Sequence, residues 1–262
     1  MPRWILLRSL VFHGLLIGSV MVVVILLVLV SPFGLEGTKD RLARAWAYFN
    51  LVALKWICGL DYRIHGLERL PRQDDTVIVL AKHQSAWETI ALRAILPLRQ
   101  SWVLKQELMR IPIFSTGLKQ FSPIPINRSA GRRAILELVR EGLERLERGR
   151  WVIIFPEGTR VAPGTRHTYA MGGATLGAKS GRRIIPIAHN AGVFWARRSV
   201  RKRPGVIDLV IGEPIETAGR SAPQINSEVE DWIETTVAAL PGCHSERTAD
   251  RAASPLASEK QS

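Results

Sequence analysis

The chain opens with an almost unbroken apolar stretch. Leu10–Val30 reads LVFHGLLIGSVMVVVILLVLV and carries no charged residue. As a helix it matches a hydrocarbon layer of ~30 Å. A signal peptide would have a shorter apolar core followed by a small-residue cleavage site, and Ser31-Pro32-Phe33-Gly34 is not such a site. The pattern therefore predicts a retained membrane segment. A second apolar run, Ala45–Leu60, is interrupted by Lys55 and contains Trp46, Tyr48 and Trp56, which suit a lipid–water boundary. It reads either as an amphipathic helix packed on the rest of the chain or as an interfacial helix. Arg3 and Arg8 precede the first run, and Lys39, Arg41 and Arg44 follow it. Positive charge on both flanks opposes a simple crossing. It predicts a shallow hairpin, turning at Pro32, Gly34 and Gly37, with both flanks on the cytoplasmic side of the inner membrane.

From Asp61 onward, short runs rich in Val and Ile alternate with longer amphipathic ones. TVIVLA (76–81), SWVL (101–104), WVIIFP (151–156), RIIPIAH (183–189) and VIDLVIG (206–212) read as strands, several of them buried on both faces. Between them, RRAILELVREGLERLERG (132–149) repeats Ile135, Leu136, Val139, Leu143 and Leu146 at helical spacing, with charge on the other face. Alternation of this kind predicts an α/β domain over 61–240, with a mainly parallel central sheet flanked by helices. The anchoring helices occupy 1–60. The tail, 241–262, lacks periodicity and is expected to be disordered.

Composition narrows the partners. Lys and Arg number 36 against 23 acids, a net charge of +13. Such an excess suits a membrane surface or a phosphorylated substrate. Nucleic acid is not expected, because no nucleic-acid motif accompanies the basic run ARRSVRKRPG (196–205), which reads as a solvated loop or a contact for anionic headgroups. Cys58 and Cys243 form neither a disulfide framework nor a metal-ligand pattern. MGGATLGAKS (171–180) is near a P-loop, but Ala178 separates Gly177 from Lys179, and it reads better as a helix of small residues. No Gly-x-Ser-x-Gly elbow is present.

Two strand ends carry candidate chemistry. TVIVLA runs into KHQSAWE, placing His83 and Glu88 five positions apart. On one helix these residues would point about 140° apart, so they meet only if His83 lies in the turn before a helix. His83 then acts as a general base and Glu88 orients its ring. A competing reading makes Ser85 and Glu88 a capping box that merely starts the helix. WVIIFP runs into Glu157-Gly158-Thr159-Arg160, where Pro156 ends the strand, Gly158 permits a tight turn, and Glu157 and Arg160 face a site or form a solvated ion pair.

These blocks together resemble the glycerolipid acyltransferases over roughly residues 60–215. The resemblance rests on His83 with an acid five residues later, VLKQELMRIPIFSTG (103–117), PIPINRS (123–129), FPEGTR (155–160) and RIIPIAHNAG (183–192). One departure is Glu88, where the family usually has aspartate; the extra methylene moves the carboxylate by about 1.5 Å. The resemblance implies acyl transfer to the sn-2 hydroxyl of lysophosphatidic acid, forming phosphatidic acid. The donor would be a thioester of coenzyme A or acyl carrier protein, with no metal or resident cofactor. It implies His83 as base and Glu88 as its orienting acid. Arg128 and Arg160, with Lys105 as a weaker third, would hold the acceptor phosphate, and Glu157, Gly158 and Thr159 would shape the acceptor site. Another lysophospholipid or a lyso-aminolipid as acceptor, and a non-catalytic basic membrane tether, remain open alternatives.

Overall fold

The computed structural model describes residues 3–72 and 75–243. Its first element, α1 (Arg3–Val30), is followed by a single turn of 3-10 helix, Ser31–Phe33, and by α2 (Glu36–Cys58). Gly34 closes the turn with φ 65°, a conformation that costs glycine nothing. Gly37 belongs to α2 rather than to the turn, so the second helix starts nine residues before the apolar run that suggested it. The two helices are antiparallel: Ser19 meets Asn50 and Trp46, and Arg8 meets Cys58. Of the two readings of the second segment, packing holds for one face, where Ala47, Leu51, Leu54 and Cys58 are buried. Tyr48, Phe49, Val52 and Trp56 on its other face are exposed.

The remaining strands are β1 (Leu60–His65), β2 (Ile78–Ala81), β3 (Gln100–Lys105), β4 (Ile124–Ile126), β5 (Trp151–Ile154), β6 (Ile184–His189) and β7 (Gly205–Ile211). The helices between and after them are α3 (Trp87–Ile95), α4 (Phe114–Lys119), α5 (Arg132–Glu147), α6 (Gly172–Ser180), α7 (Ala191–Phe194) and α8 (Ala222–Ala239). The sheet order is β1-β7-β6-β2-β5-β3-β4. Every pairing is parallel except β6 with β7. The mainly parallel α/β sheet expected from the alternation is therefore present, with β1 and β7 running against the rest.

The alternating side chains of the central strands build two cores. Val79, Ala81, Ile153, Ile185 and Ile187 point to the face covered by α2 and α3, where Trp87 is fully buried. Ile78, Leu80, Val152, Ile154 and Ile184 point to the face covered by α5, α6 and α8. Removing the Trp87 side chain would cost about 3–5 kcal/mol. The near-P-loop segment is α6, and a Cβ on Gly173 would lie 2.5 Å from Leu80 Cδ2. Its small residues serve close helix–sheet packing. Register then fixes the site: Leu80 lies opposite both Ile154 and Pro186. The chain therefore leaves β2 and β5 within one residue of the same level, with β6 running on to His189, at the carboxyl ends where parallel sheets place ligands.

Not all of 241–262 behaves as one tail. The Pro241 carbonyl accepts a hydrogen bond from Asn190 Nδ2 at 3.0 Å, and Cys243 is buried. The rest of the expected disordered tail lies outside the described residues.

Candidate active site

After Ala81 the β2 backbone makes one more sheet-like bond, Lys82 N–H to the Ile187 carbonyl at 2.9 Å. It then turns through His83–Ala86 into α3. Glu88 sits in the first turn of α3 and folds back over this turn. One carboxylate oxygen accepts from Gln84 N–H at 3.0 Å, Ser85 N–H at 2.7 Å and His83 Nδ1 at 2.8 Å. Only half of the capping box forms, since Ser85 Oγ accepts from Trp87 N–H rather than from Glu88 N–H, and the carboxylate that accepts Ser85 N–H also grips the imidazole. A carboxylate only accepts, so His83 Nδ1 carries the proton and Nε2 keeps its lone pair. The ring stacks on Phe155 at 4.1 Å between centroids, with 13% of the side chain exposed.

Glu88 is fully buried. Burial pushes its carboxyl up, but the hydrogen bonds from His83 and the Ser85 N–H outweigh this, and the group lies below its ordinary value. His189, at the end of β6, escaped the sequence reading. Its Nδ1 accepts from Ala191 N–H at 3.2 Å, so Nε2 is the protonated nitrogen and donates to the Lys82 carbonyl at 2.9 Å. Nε2 also lies 3.9 Å from the second Glu88 oxygen. Burial lowers the His189 pKa and favours the neutral ring.

The second strand end departs from expectation. Glu157 neither faces an open site beside Arg160 nor forms a solvated pair with it: it is 4% exposed and points under the turn that carries His83. Pro156 and the Gly158 turn, with φ 67°, carry its side chain back toward β2. Glu157 Oε2 accepts His83 N–H at 2.7 Å. Oε1 lies 2.7 Å from Lys82 Nζ, an ion pair without hydrogen-bond alignment. Lys82 Nζ donates to Glu234 of α8 at 2.7 Å, and the same Glu234 oxygen accepts Tyr169 Oη–H at 2.8 Å. Burial pushes the Glu157 carboxyl up, Lys82 offsets only part of it, and Glu234 adds to it, leaving Glu157 at about 7. This network holds the turn carrying His83 rather than lining an opening.

Arg128 follows the short β4 through Asn127, whose side chain accepts from Ser129 N–H and caps the next turn. A Cβ on Gly158 would lie 3.7 Å from Arg128 Cδ, so the arginine stem runs over the glycine. Lys105 pairs in register with Ile126, two residues before Arg128, and forms an exposed ion pair with Glu107 at 3.3 Å. Thr159 and Arg160 are half-buried. The Arg160 carbonyl accepts from Arg197 at 2.9 Å, and the next residue, Val161, donates its N–H to the His83 carbonyl at 2.8 Å. The structure thus joins His83, Glu88, Glu157, Gly158 and Arg128 into one cluster. Lys105 lies at its β3–β4 edge and Arg160 beyond the Gly158 turn. Lys82, His189, Tyr169 and Glu234 are additions. A signal for Lys82 existed in its position next to His83, but lysine is so rarely buried that the pattern points outward.

A positioned imidazole with a free Nε2, braced by a buried carboxylate and near an arginine, can accept a proton from a hydroxyl beside an anionic group. The chain matches the family model described as "Acyltransferase" over residues 61–190. It is 35% identical over 238 residues to the 1-acyl-sn-glycerol-3-phosphate acyltransferase of Pseudomonas aeruginosa, covering 89% of this chain and 91% of that protein. It is 25% identical over 198 residues to the Streptococcus pneumoniae protein of the same name, covering 75% and 69% of the two chains. The crystal structure of the 1-acyl-sn-glycerophosphate (LPA) acyltransferase from Thermotoga maritima superposes with a TM-score of 0.76 over 92% of this chain and 97% of that one. Its sequence is 21% identical, so this likeness speaks for the fold.

Proposed function

The chain belongs to the acyltransferase family and is an O-acyltransferase acting on lysophosphatidic acid, and on that premise we propose that it moves an acyl group from a thioester to the sn-2 hydroxyl. Phosphatidic acid is the product. The donor is acyl-coenzyme A or acyl carrier protein. The observation that carries this reading is the 2.8 Å contact between His83 Nδ1 and Glu88.

In this mechanism His83 Nε2 takes the proton of the acceptor hydroxyl as its oxygen attacks the thioester carbonyl. Glu88 stabilises the imidazolium that forms, much as the acid of a catalytic triad does. The tetrahedral intermediate collapses to the new ester and expels the thiolate. The imidazolium returns its proton to that sulfur. Arg128 and Arg160 hold the acceptor phosphate through charge-assisted hydrogen bonds, with Lys105 further out. Glu157 acts from beneath, by accepting His83 N–H. Gly158 and Thr159 shape the turn against which Arg128 lies.

Membrane association follows the apolar N-terminus. The helix Arg3–Phe33 is long and apolar enough to cross a bilayer by length and composition, and only 17% of its most apolar stretch is buried. We propose that it lies in the cytoplasmic leaflet of the inner membrane instead of crossing it. Support comes from contacts with the catalytic domain near both of its ends. Ser9 Oγ accepts Lys202 N–H near one end, and Val24 packs on Gly117 near the other. Fifteen residues separate them, ~22 Å along the helix. A helix touching the domain at points so far apart runs along it, with Leu10, Ile17, Val22, Ile25 and Leu29 turned outward.

The test is acyl transfer by the purified full chain, run with both donor types against a panel of lysophospholipids and lyso-aminolipids. Transfer to the sn-2 hydroxyl of lysophosphatidate ahead of the other acceptors supports the reading. Preference for another acceptor moves the substrate, and no transfer at all returns the basic membrane tether.

A further inference from the structure

The basic run at 196–205 touches the site described above only through Arg197, and it is built as an ordered loop. Ser199 N–H bonds the Ala196 carbonyl at 3.1 Å, Trp195 Nε1 bonds the Ser199 carbonyl at 3.2 Å, and Arg203 N–H bonds the Phe194 carbonyl at 2.8 Å. Arg198 adopts φ 59°, which a non-glycine residue rarely does. Lys202 turns inward as a strut. It is fully buried, donates to the Val200 carbonyl at 2.9 Å, and sits 4.6 Å from the Trp195 ring centroid and 5.2 Å from that of Phe12. Ordering a loop in this way is costly for a segment whose only task is to be solvated.

What the loop presents is positive. Arg198, Arg201 and Arg203 are exposed and meet no carboxylate among the described residues. Arg201 and Arg203, with Ser199, line a cleft of about 400 Å³, whose other wall includes Pro163, Gly192 and Gly242. That volume is within the range of small-molecule sites. The far wall packs against the turn that carries His83. Gly192 N–H donates to Gln84 Oε1 at 3.1 Å, next to His83, and a Cβ on Gly192 would meet Pro163 at 3.0 Å. Arg197 ties the same loop to the Arg160 carbonyl.

We propose that this cleft binds the phosphorylated nucleotide end of coenzyme A, placing the acyl donor beside the catalytic turn and apart from the acceptor-phosphate arginines. The proposal rests on the acyltransferase reading and deepens it by naming where the donor is held. Coenzyme A ends in a 5′-diphosphate and a 3′-phosphate, and a guanidinium fork suits each of these groups. A concave site backing onto the turn that carries His83 fits a diffusible donor whose long arm must reach that residue. Attraction to a lipid surface needs no such cleft.

The experiment measures equilibrium binding of coenzyme A and of adenosine 3′,5′-bisphosphate to the purified full chain. It compares Arg201→Ala/Arg203→Ala with Arg140→Ala, an exposed arginine on α5. The double variant is expected to bind both probes about tenfold or more weakly and to show a parallel rise in KM for acyl-coenzyme A but not for lysophosphatidate. Arg140→Ala should bind like the parent. Equal binding by the double variant and the parent overturns the proposal. So does a loss confined to acyl carrier protein, or one confined to vesicles of anionic phospholipid. Probe binding is read without turnover, so failure of acyl transfer to lysophosphatidate registers separately, against the functional reading.

Discussion

Glu88 and Glu157 are two buried carboxylates on opposite sides of one turn, and their carboxyls are shifted in opposite directions. Each accepts a bond from His83, Glu88 from the ring and Glu157 from the backbone N–H. Glu88 collects the ring, Gln84 and Ser85 N–H groups, and its carboxyl lies below the ordinary value. Glu157 shares a single cation, Lys82, with Glu234, and burial leaves it at about 7. Burial alone does not decide the charge of a carboxylate; the number of donors and cations not shared with another acid does. The difference divides the labour. The ionised acid suits catalysis, and the other belongs to a sealed brace.

The brace is broken most severely at its cation. Lys82→Met would leave Glu157 and Glu234 without their shared cation, at a cost of about 3–5 kcal/mol. Chemical denaturation should show the loss, and a stability equal to the parent's would mean the network carries no weight. On the catalytic side, Glu88→Gln puts an amide where three N–H donors converge, so the ring loses its anion. Turnover should fall by about 10² or more with the acceptor KM kept; an effect on KM alone would make Glu88 a binding residue. Arg128→Ala should weaken acceptor binding by about 1.5–3 kcal/mol if its bond to phosphate is charge-assisted. A change confined to the donor KM would assign the arginine to the other substrate.

The smallest effect is one of pH. The folded Glu157 carboxyl, at about 7, lies above its ordinary 4.5. The folded state therefore holds the extra proton between these values, and the contribution of Glu157 to stability is full below about 4.5 and lost as pH rises through about 7. Glu157→Gln still accepts His83 N–H but does not titrate. Melting temperatures from pH 5 to 8 should fall less steeply in the variant; parallel curves would show that Glu157 stays ionised throughout.

The same contrast explains how much the sequence displayed. The dyad was legible because His83 and Glu88 lie on one short turn whose strand-to-helix order could be read. The brace was not, because Lys82, Glu157, Tyr169 and Glu234 come from four separate places and a lysine reads as a surface residue. Glu157 was accordingly expected to face the site with Arg160 or to pair with it in solvent. The central strands were visible as Val- and Ile-rich runs, although RIIPIAH and VIDLVIG gave no hint that β6 and β7 pair antiparallel. The edges were lost: β1 alternates apolar residues with Asp61, Arg63 and His65, and β4 is three residues long with Pro125 in the middle. Both lie at the edges of the sheet, where half-polar or very short sequences become strands by pairing with one neighbour, β7 or β3.

The central claim is that the His83 imidazole removes the acceptor proton. It is tested most directly by the steady-state turnover of purified His83→Ala with lysophosphatidate and a saturating acyl donor. The account predicts a fall of about 10² or more, in a protein that melts cooperatively and binds the acceptor as the parent does. Turnover near that of the parent would contradict it.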